Sequence, residues 1–253
     1  MVLADPDRLG PSLLRRRCAS SPAAVEAPVP VVELAGLWRT YGVDPPVHAL
    51  SNVDLRISAG DWVAIVGPSG SGKSTLLNVI GLLDRPTAGT YRLLGTDVAG
   101  FDDLTRAGLR ARYLGFVFQA FHLLPHRTVL ENVMLAELYR GEKREGREER
   151  AAAALERVGM TARAGFLPSR LSGGERQRAA IARSLVGEPS LLLCDEPTGN
   201  LDSRSSEAVL DLFRQLSADG LTLAVITHDD HVARVARRRV RMVDGCLEET
   251  VQA

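Results

Sequence analysis

Hydrophobic and polar residues alternate in two stretches near the start of the chain, residues 31–38 and 49–57. This period of two predicts half-buried β-strands, joined through Tyr41-Gly42 and a Pro45-Pro46 turn. Further along, short apolar runs predict strands that are buried on both faces. These runs cover residues 62–66, 114–118, 191–194 and 221–226, and a shorter strand is expected at 91–94.

Helical spacing of apolar residues separates these strands. It predicts helices at residues 76–80, 129–139, 145–158, 173–185 and 203–216, the last with Ser203 as its N-cap. Asp244-Gly245 predicts a hairpin turn between the last two strands. Alternating strands and helices indicate an α/β fold with a mostly parallel core sheet, to which the half-buried strands add an antiparallel β part. The charged stretch at about 120–175 predicts an α-helical subdomain inserted into this core.

Composition indicates how the chain divides into a tail and a domain. The chain has 253 residues, of which 45% are hydrophobic, so a proper core is expected. Residues 1–29 are rich in Pro, Ala and Arg without periodicity and predict a disordered tail, followed by a single domain over 30–250. The 31 basic and 31 acidic residues balance, which argues against a nucleic-acid-binding surface.

The cysteine positions and the hydropathy of the chain indicate the cellular compartment of the protein. Cys18, Cys194 and Cys246 lie far apart and form no C-x-x-C pair, which suits a reducing environment without a structural disulfide. No apolar run approaches the ~18 residues that a membrane-spanning helix needs, and no signal peptide is expected. These features favour a cytoplasmic location.

The stretch with the most specific chemistry fits the pattern G-x-x-x-x-G-K-[ST], between a predicted strand and a predicted helix. In this context the backbone N–H groups of a glycine-rich loop cradle phosphates, and the helix turns its positive end towards them. Lys73 supplies a charge for the β- and γ-phosphates, and the Ser74 hydroxyl a ligand for Mg²⁺. The loop consists of Gly67, Pro68, Ser69, Gly70, Ser71, Gly72, Lys73, Ser74 and Thr75.

Polar residues follow three of the buried strands. Asp195 and Glu196 end one strand, where Asp195 is expected to hold Mg²⁺ and Glu196 to polarise an attacking water. His228 ends the neighbouring strand and can hydrogen-bond both the γ-phosphate and Glu196. Gln119 ends a third strand, and its amide can ligate Mg²⁺ or the attacking water. Taken alone, an Asp-Glu-Pro turn or a lone histidine is an ordinary strand end; the phosphate loop makes the functional interpretation stronger.

Two further features point to a nucleotide and to a second copy of the chain. Tyr41 precedes the phosphate-loop strand, and its flat ring can stack on adenine. Leu171-Ser172-Gly173-Gly174-Glu175 begins a predicted helix and forms a second anion site. One chain has little need of two such sites, so the second is expected to serve the nucleotide of a head-to-tail homodimer.

Together these residues resemble the ATPase of ATP-binding cassette (ABC) transporters, over about residues 31–245. The resemblance implies the P-loop NTPase fold of the ABC ATPases, with ATP and Mg²⁺ bound. It identifies Gln119 as the Q-loop residue, residues 172–175 as the signature and Asn200-Leu201-Asp202 as the D-loop, which faces the other subunit. It likewise implies Tyr41 as the adenine-stacking aromatic, Asp195 as the magnesium carboxylate, Glu196 as the catalytic base and His228 as the switch histidine.

The segments at 76–87, 115–125, 131–133 and 195–202 are similar to the macrolide-export and lipoprotein-release group. That group implies a separate transmembrane permease, a peripheral position on the inner face of the cell membrane, and efflux or extraction of an amphiphilic substrate. The segment 121–127 is expected to contact the permease. Glu175 stands where this group often has Gln, and activity is expected to survive.

Alternative functions have weaker support from the sequence. A soluble DNA-maintenance ATPase usually carries a long coiled coil between the P-loop and the signature, whereas about fifty residues without sustained heptads separate Gln119 from Leu171. A ribosome-associated translation factor normally has two cassettes. A cell-division ATPase that regulates a membrane partner stays open as an alternative to the exporter.

Overall fold

Two β-sheets and a set of helices form the part of the chain that the computed structural model describes, residues 28–42, 44–139 and 145–250. The predicted tail at 1–29 lies outside the described residues except for its last two positions. Within these ranges, none of the helices combines the length and apolar character that crossing a membrane requires.

The first sheet is antiparallel and has four strands in the order β2-β1-β4-β5. Its strands are β1 (Val32–Tyr41), β2 (Val47–Ile57), β4 (Ala88–Leu93) and β5 (Thr96–Asp97). Buried and more accessible positions alternate over much of β1 and β2, because one face packs into the core while the other is more open. This confirms the predicted half-buried strands.

The second sheet has six strands in the order β10-β9-β3-β8-β7-β6, and every neighbouring pair is parallel except β9 and β10. Its strands are β3 (Trp62–Val66), β6 (Leu114–Phe118), β7 (Leu191–Asp195), β8 (Leu223–Thr227), β9 (Arg238–Val243) and β10 (Cys246–Thr250). The turn between β9 and β10 is at Asp244-Gly245, as predicted, and both residues have positive φ, 48° and 80°. The mostly parallel core sheet is confirmed.

Four strands of this sheet, β3, β6, β7 and β8, are largely apolar because both faces of the sheet are covered there. Leu191 and Leu193 join one hydrophobic cluster, with α1 (Lys73–Ile80) and the antiparallel sheet. Leu192 and Cys194 point the other way, into a cluster built on the helices. These helices are α3 (Val129–Met134), α4 (Arg147–Arg157), α5 (Gly173–Leu185), α6 (Ser203–Ala218) and α7 (Asp230–Val235).

The segment between β6 and α5 is helical, as predicted for 120–175. Besides α3 and α4 it holds 3₁₀ turns at Leu135–Tyr139, Thr161–Arg163 and Pro168–Arg170. In its described residues the longest helix is α4, with 11 residues. A helix of that length cannot form the long coiled coil of a DNA-maintenance ATPase.

Two local features differ from the sequence expectations. The helix α2 (Asp103–Tyr113) was not expected, because its apolar face is narrow. Only Leu109 and Tyr113 pack partly buried against the core, and its one fully buried residue is Arg106. The N-cap of α6 is Asp202, not Ser203, because the Asp202 carboxylate accepts hydrogen bonds from the backbone N–H and the hydroxyl of Ser205.

Candidate active site

A cleft of about 900 Å³ lies at the carboxyl ends of β3, β7 and β8. Ligands of open parallel sheets bind at this edge. The cleft brings together most of the residues that the sequence singled out. It is lined by Gly67, Pro68, Ser69, Gly70, Gly72, Lys73, Ser74, Thr75, Gln119, Asp195, Glu196 and His228.

The phosphate loop is shaped by close backbone contacts. A Cβ at Gly67 would lie 2.1 Å from the carbonyl oxygen of Met242 in β9, so only glycine fits there. Lys73 folds over the loop and donates from Nζ to the carbonyl oxygens of Gly67 and Pro68, at 2.8 and 2.7 Å. Ser71 is buried beneath the loop and does not line the cleft, whereas Lys73 and Ser74 open α1 at the cleft floor.

Glu196 is held by three donors from the end of β8. Its carboxylate accepts from the His228 backbone N–H at 3.0 Å, from His228 Nδ1 at 2.7 Å and from the Thr227 hydroxyl at 3.2 Å. With Glu196 ionised, the ring nitrogen must be the donor, since a carboxylate only accepts. Glu196 has φ of 47°, a conformation that is uncommon outside glycine and that is found at functional sites.

The preceding carboxylate has a different environment. Burial and the charge of Glu196 raise the pKa of Asp195, and the ammonium of Lys73 opposes them. A cation bound beside Asp195 would favour its charged form.

Gln119 is tied to the D-loop. Its side-chain amide donates to Oδ1 of Asn200 at 3.3 Å, and Nδ2 of Asn200 donates back to the carbonyl of Gln119 at 3.0 Å. A Cβ at Gly199 would lie 2.7 Å from Nε2 of Gln119. These bonds link the residue after β6 directly to the residues leading into α6, although 81 positions separate Gln119 and Asn200 in sequence.

Residues 172–175 and Asp202 do not line this cleft. Ser172 and Glu175 form a capping box at the start of α5, in which each side chain accepts from the other residue's backbone N–H. Gly174 allows close packing against Ser205, whose Oγ would be 2.9 Å from a Cβ at that position. A Cβ at Gly173 would lie 3.3 Å from Cδ2 of Leu201, so the signature and the D-loop lie side by side, outside the lining of the cleft.

Tyr41 is also absent from the cleft lining. Its hydroxyl donates to Asp84, and the Arg39 guanidinium covers its ring. Its role against adenine stays a prediction. Instead, Val47 and His48, which pair across the strands with Tyr41 and Thr40, line the cleft mouth.

Comparison with known proteins adds to this geometry. A family model described as ABC transporter matches residues 50–199. The chain belongs to the ABC transporter family. Like other ABC ATPases it is a nucleotide-binding cassette. It is 50% identical over 226 residues to the macrolide export ATP-binding/permease protein MacB of Rhodopirellula baltica, covering 88% of this chain and 33% of MacB.

Relatives of similar length also match this ABC cassette. The uncharacterised ABC transporter ATP-binding protein YknY of Bacillus subtilis is 46% identical, with 85% of this chain and 94% of YknY covered. Among solved structures, the dimeric ATP-binding cassette MJ0796, in a post-hydrolysis state bound to ADP and Pi, is 39% identical with a TM-score of 0.78. That match covers 88% of this chain and 100% of MJ0796. By contrast, the chain spans about a third of the length of the ATP-binding/permease relatives it matches.

The donor set of the cassette fits Mg²⁺. Ser74, Gln119 and Asp195 offer a hydroxyl, an amide oxygen and a carboxylate in one cleft, all hard oxygen ligands. Among the described residues no group of three or more His, Cys, Asp or Glu could hold a metal ion. Mg²⁺ is commonly bound through one or two carboxylates together with substrate phosphates.

Some residues at the cassette's site were not predicted from sequence. Buried Gln177 on α5 donates to the carbonyl of Pro197 at 2.7 Å and that of Phe118 at 3.4 Å, next to Glu196 and Gln119. Asp244 and Gly245 line the cleft because β9 runs parallel to β3 and ends at the same edge. The hairpin signal at these two residues, combined with that edge rule, would have located them.

Proposed function

We propose that this chain is the ATP-hydrolysing subunit of an exporter, with a separate transmembrane permease as its partner. Two copies close head-to-tail on two Mg-ATP, hydrolysis reopens them, and the permease follows this motion. The observation that carries the proposal is the cleft itself. It gathers the phosphate loop, the Asp195-Glu196 pair and His228 at one sheet edge, while the signature lies elsewhere.

The cleft supplies the parts of an in-line attack on a γ-phosphate. Backbone N–H groups of the loop and Lys73 hold the phosphates. Ser74, Gln119 and Asp195 would hold Mg²⁺, which would supply positive charge to the phosphates. Glu196, oriented by Thr227 and His228, accepts a proton from the attacking water. His228 can donate to the γ-phosphate through Nε2 as well as to Glu196 only when both ring nitrogens carry a proton.

The surface formed by the signature and the D-loop supports the dimer. Ser172 and the start of α5 offer a helix N-terminus that the chain's own cleft does not use. MJ0796, with a similar fold, is a dimeric cassette. In a symmetric dimer, the phosphate loop of one chain and residues 172–175 of its partner would together complete each nucleotide site.

The segment 121–127 is the proposed contact with the permease, since it follows Gln119 directly. Arg183 on α5 donates to the carbonyls of Phe121 and His122. Asn132 on α3 bonds the backbone of Leu124 and Arg127. The segment is thereby fixed to the helices and would pass their motion on. This partner places the chain on the inner face of the cell membrane.

Two experiments test this function. In equilibrium dialysis with labelled ATP, the parent chain should bind and Lys73→Ala should not, while Arg157→Ala on the distant helix α4 should bind as the parent does. Equal binding by Lys73→Ala and the parent would contradict the phosphate-loop assignment. Affinity purification from membranes should recover an integral membrane protein with a large extracytoplasmic domain. Recovery of a cell-wall hydrolase regulator would instead support the cell-division role.

A further inference from the structure

Tyr41 belongs to a compact cluster with Arg39 and Asp84. The Tyr41 hydroxyl donates to Oδ2 of Asp84 at 2.5 Å. The Arg39 guanidinium bonds both oxygens of the same carboxylate, Nε to Oδ2 at 2.9 Å and the terminal nitrogen to Oδ1 at 2.8 Å. Its central carbon lies 4.2 Å from the centroid of the Tyr41 ring. The ring is therefore fixed at its hydroxyl end and covered on one face.

The cluster lies beside the cleft mouth. Tyr41 is the direct cross-strand partner of Val47, and directly opposed residues of an antiparallel pair project from the same face of the sheet. Val47 lines the cleft and is 61% exposed, and Tyr41 is 37% exposed. The ring face opposite Arg39 is thus the one available to a flat, apolar group bound at the cleft mouth.

The same cluster is joined to the phosphate loop through α1. The backbone N–H of Asp84 donates to the carbonyl of Asn78 in the last turns of α1, at 3.0 Å. The turn is held from its other side by the missed helix α2, where Arg106 donates to the carbonyl of Asp84 and Arg110 to that of Leu82. Because α1 starts at Lys73, Asp84 connects the ring of Tyr41 rigidly to the phosphate site.

We propose that Arg39 and Asp84 are positioning residues that hold Tyr41 as the platform for adenine, at a spacing from the phosphate loop set by α1. The inference rests on the proposed function, since it concerns the base of the nucleotide that the cleft binds. Neither residue lines the cleft that contains the phosphate loop, so both should act on the base end of the ligand.

The charge state of the cluster agrees with this role. Partial burial disfavours the ionised form of Asp84. The bonds from Tyr41 and the Arg85 backbone N–H, with the charge of Arg39, outweigh that effect and hold the pKa of Asp84 below its usual range. Asp84 therefore stays an acceptor for the Tyr41 hydroxyl throughout the neutral pH range.

The test compares two ligands that differ by adenosine. Isothermal titration of the full chain with Mg-ADP and with Mg-pyrophosphate separates the base end from the phosphate end. Asp84→Asn should weaken ADP binding by about tenfold, within the range known for stacking of a base on an aromatic ring, and leave pyrophosphate binding unchanged. Tyr41→Phe, which keeps the ring and the Arg39–Asp84 pair, should give a similar loss, and the double variant should add little.

Glu33→Gln is the matched control. Glu33 is also on β1 and also pairs with an arginine, Arg92 at 3.4 Å, but its variant should bind both ligands as the parent does. Parent-like ADP binding by Asp84→Asn and Tyr41→Phe would overturn the inference, and so would an equal loss of ADP and pyrophosphate. A parent chain that binds neither ligand would overturn the proposed function itself.

Discussion

His228 should affect hydrolysis far more than nucleotide binding, because its main contact is with Glu196. His228→Ala removes the 2.7 Å bond from Nδ1 and keeps the 3.0 Å bond from the His228 backbone N–H. A hydrogen bond to a charged group contributes about 1.5–3 kcal/mol. If the whole of it orients the base in the transition state, turnover should fall about 10- to 150-fold.

Thr227→Val is the graded comparison. Its hydroxyl reaches Glu196 at a longer distance, 3.2 Å, and valine preserves the shape of this fully buried side chain. The expected loss of turnover is smaller than that of His228→Ala, because the bond is longer and weaker. The assay is phosphate release in a single turnover at saturating Mg-ATP, with ADP affinity measured alongside. Turnover of His228→Ala near that of the parent, or a larger loss for Thr227→Val than for His228→Ala, would refute this account of Glu196.

Three further variants test stability by denaturant or thermal unfolding, and the last also tests ATPase activity by phosphate release. Gly67→Ala should destabilise the chain more than Gly70→Ala, because the added Cβ would collide with the backbone of Met242. Gly70 has φ of 80° and open space around it, so an alanine there should cost only the strain of a left-handed conformation, about 1–2 kcal/mol. Asn132→Leu should lower the unfolding free energy by about 2–4 kcal/mol, since this fully buried amide bonds four backbone groups. An unfolding free energy equal to that of the parent would contradict the role given to these bonds. Glu175→Gln should retain ATPase activity. The Ser172 backbone N–H and then Arg163 lower the pKa of Glu175 in the folded chain. The stability that ionised Glu175 contributes is therefore complete above the unfolded pKa of 4.5 and is lost as pH falls through the folded pKa. The difference in unfolding free energy between the parent and Glu175→Gln should be constant near neutral pH and shrink in acid.

Sequence patterns were sufficient for the core sheet and its edge. The runs at 62–66 and 114–118 coincide with β3 and β6, and the helix at 173–185 coincides with α5. These elements are strongly patterned, and the rule that parallel strands share a ligand-binding edge places their end residues together. The bond between His228 and Glu196 was expected for this reason.

Other features depend on contacts that no local pattern encodes. The helix α2 was missed because its apolar face is limited to Leu109 and Tyr113, and two arginines attach it to the turn at residues 82–84. The bond between Gln119 and Asn200 joins two loops that are distant in sequence. The cap of α6 was misplaced by one residue because aspartate and serine are both strong N-caps, and only the bonds to Ser205 distinguish them.

The most direct test of the account is the mass of the Glu196→Gln chain in Mg-ATP, measured by light scattering. ATP should bind, remain unhydrolysed and hold two chains together, so the mass should be twice the 27.3 kDa of one chain. Glu196→Gln combined with Ser172→Arg, which blocks the signature surface, should stay at the mass of one chain. A nucleotide-saturated Glu196→Gln chain that remains monomeric would contradict the claim that two copies share each ATP.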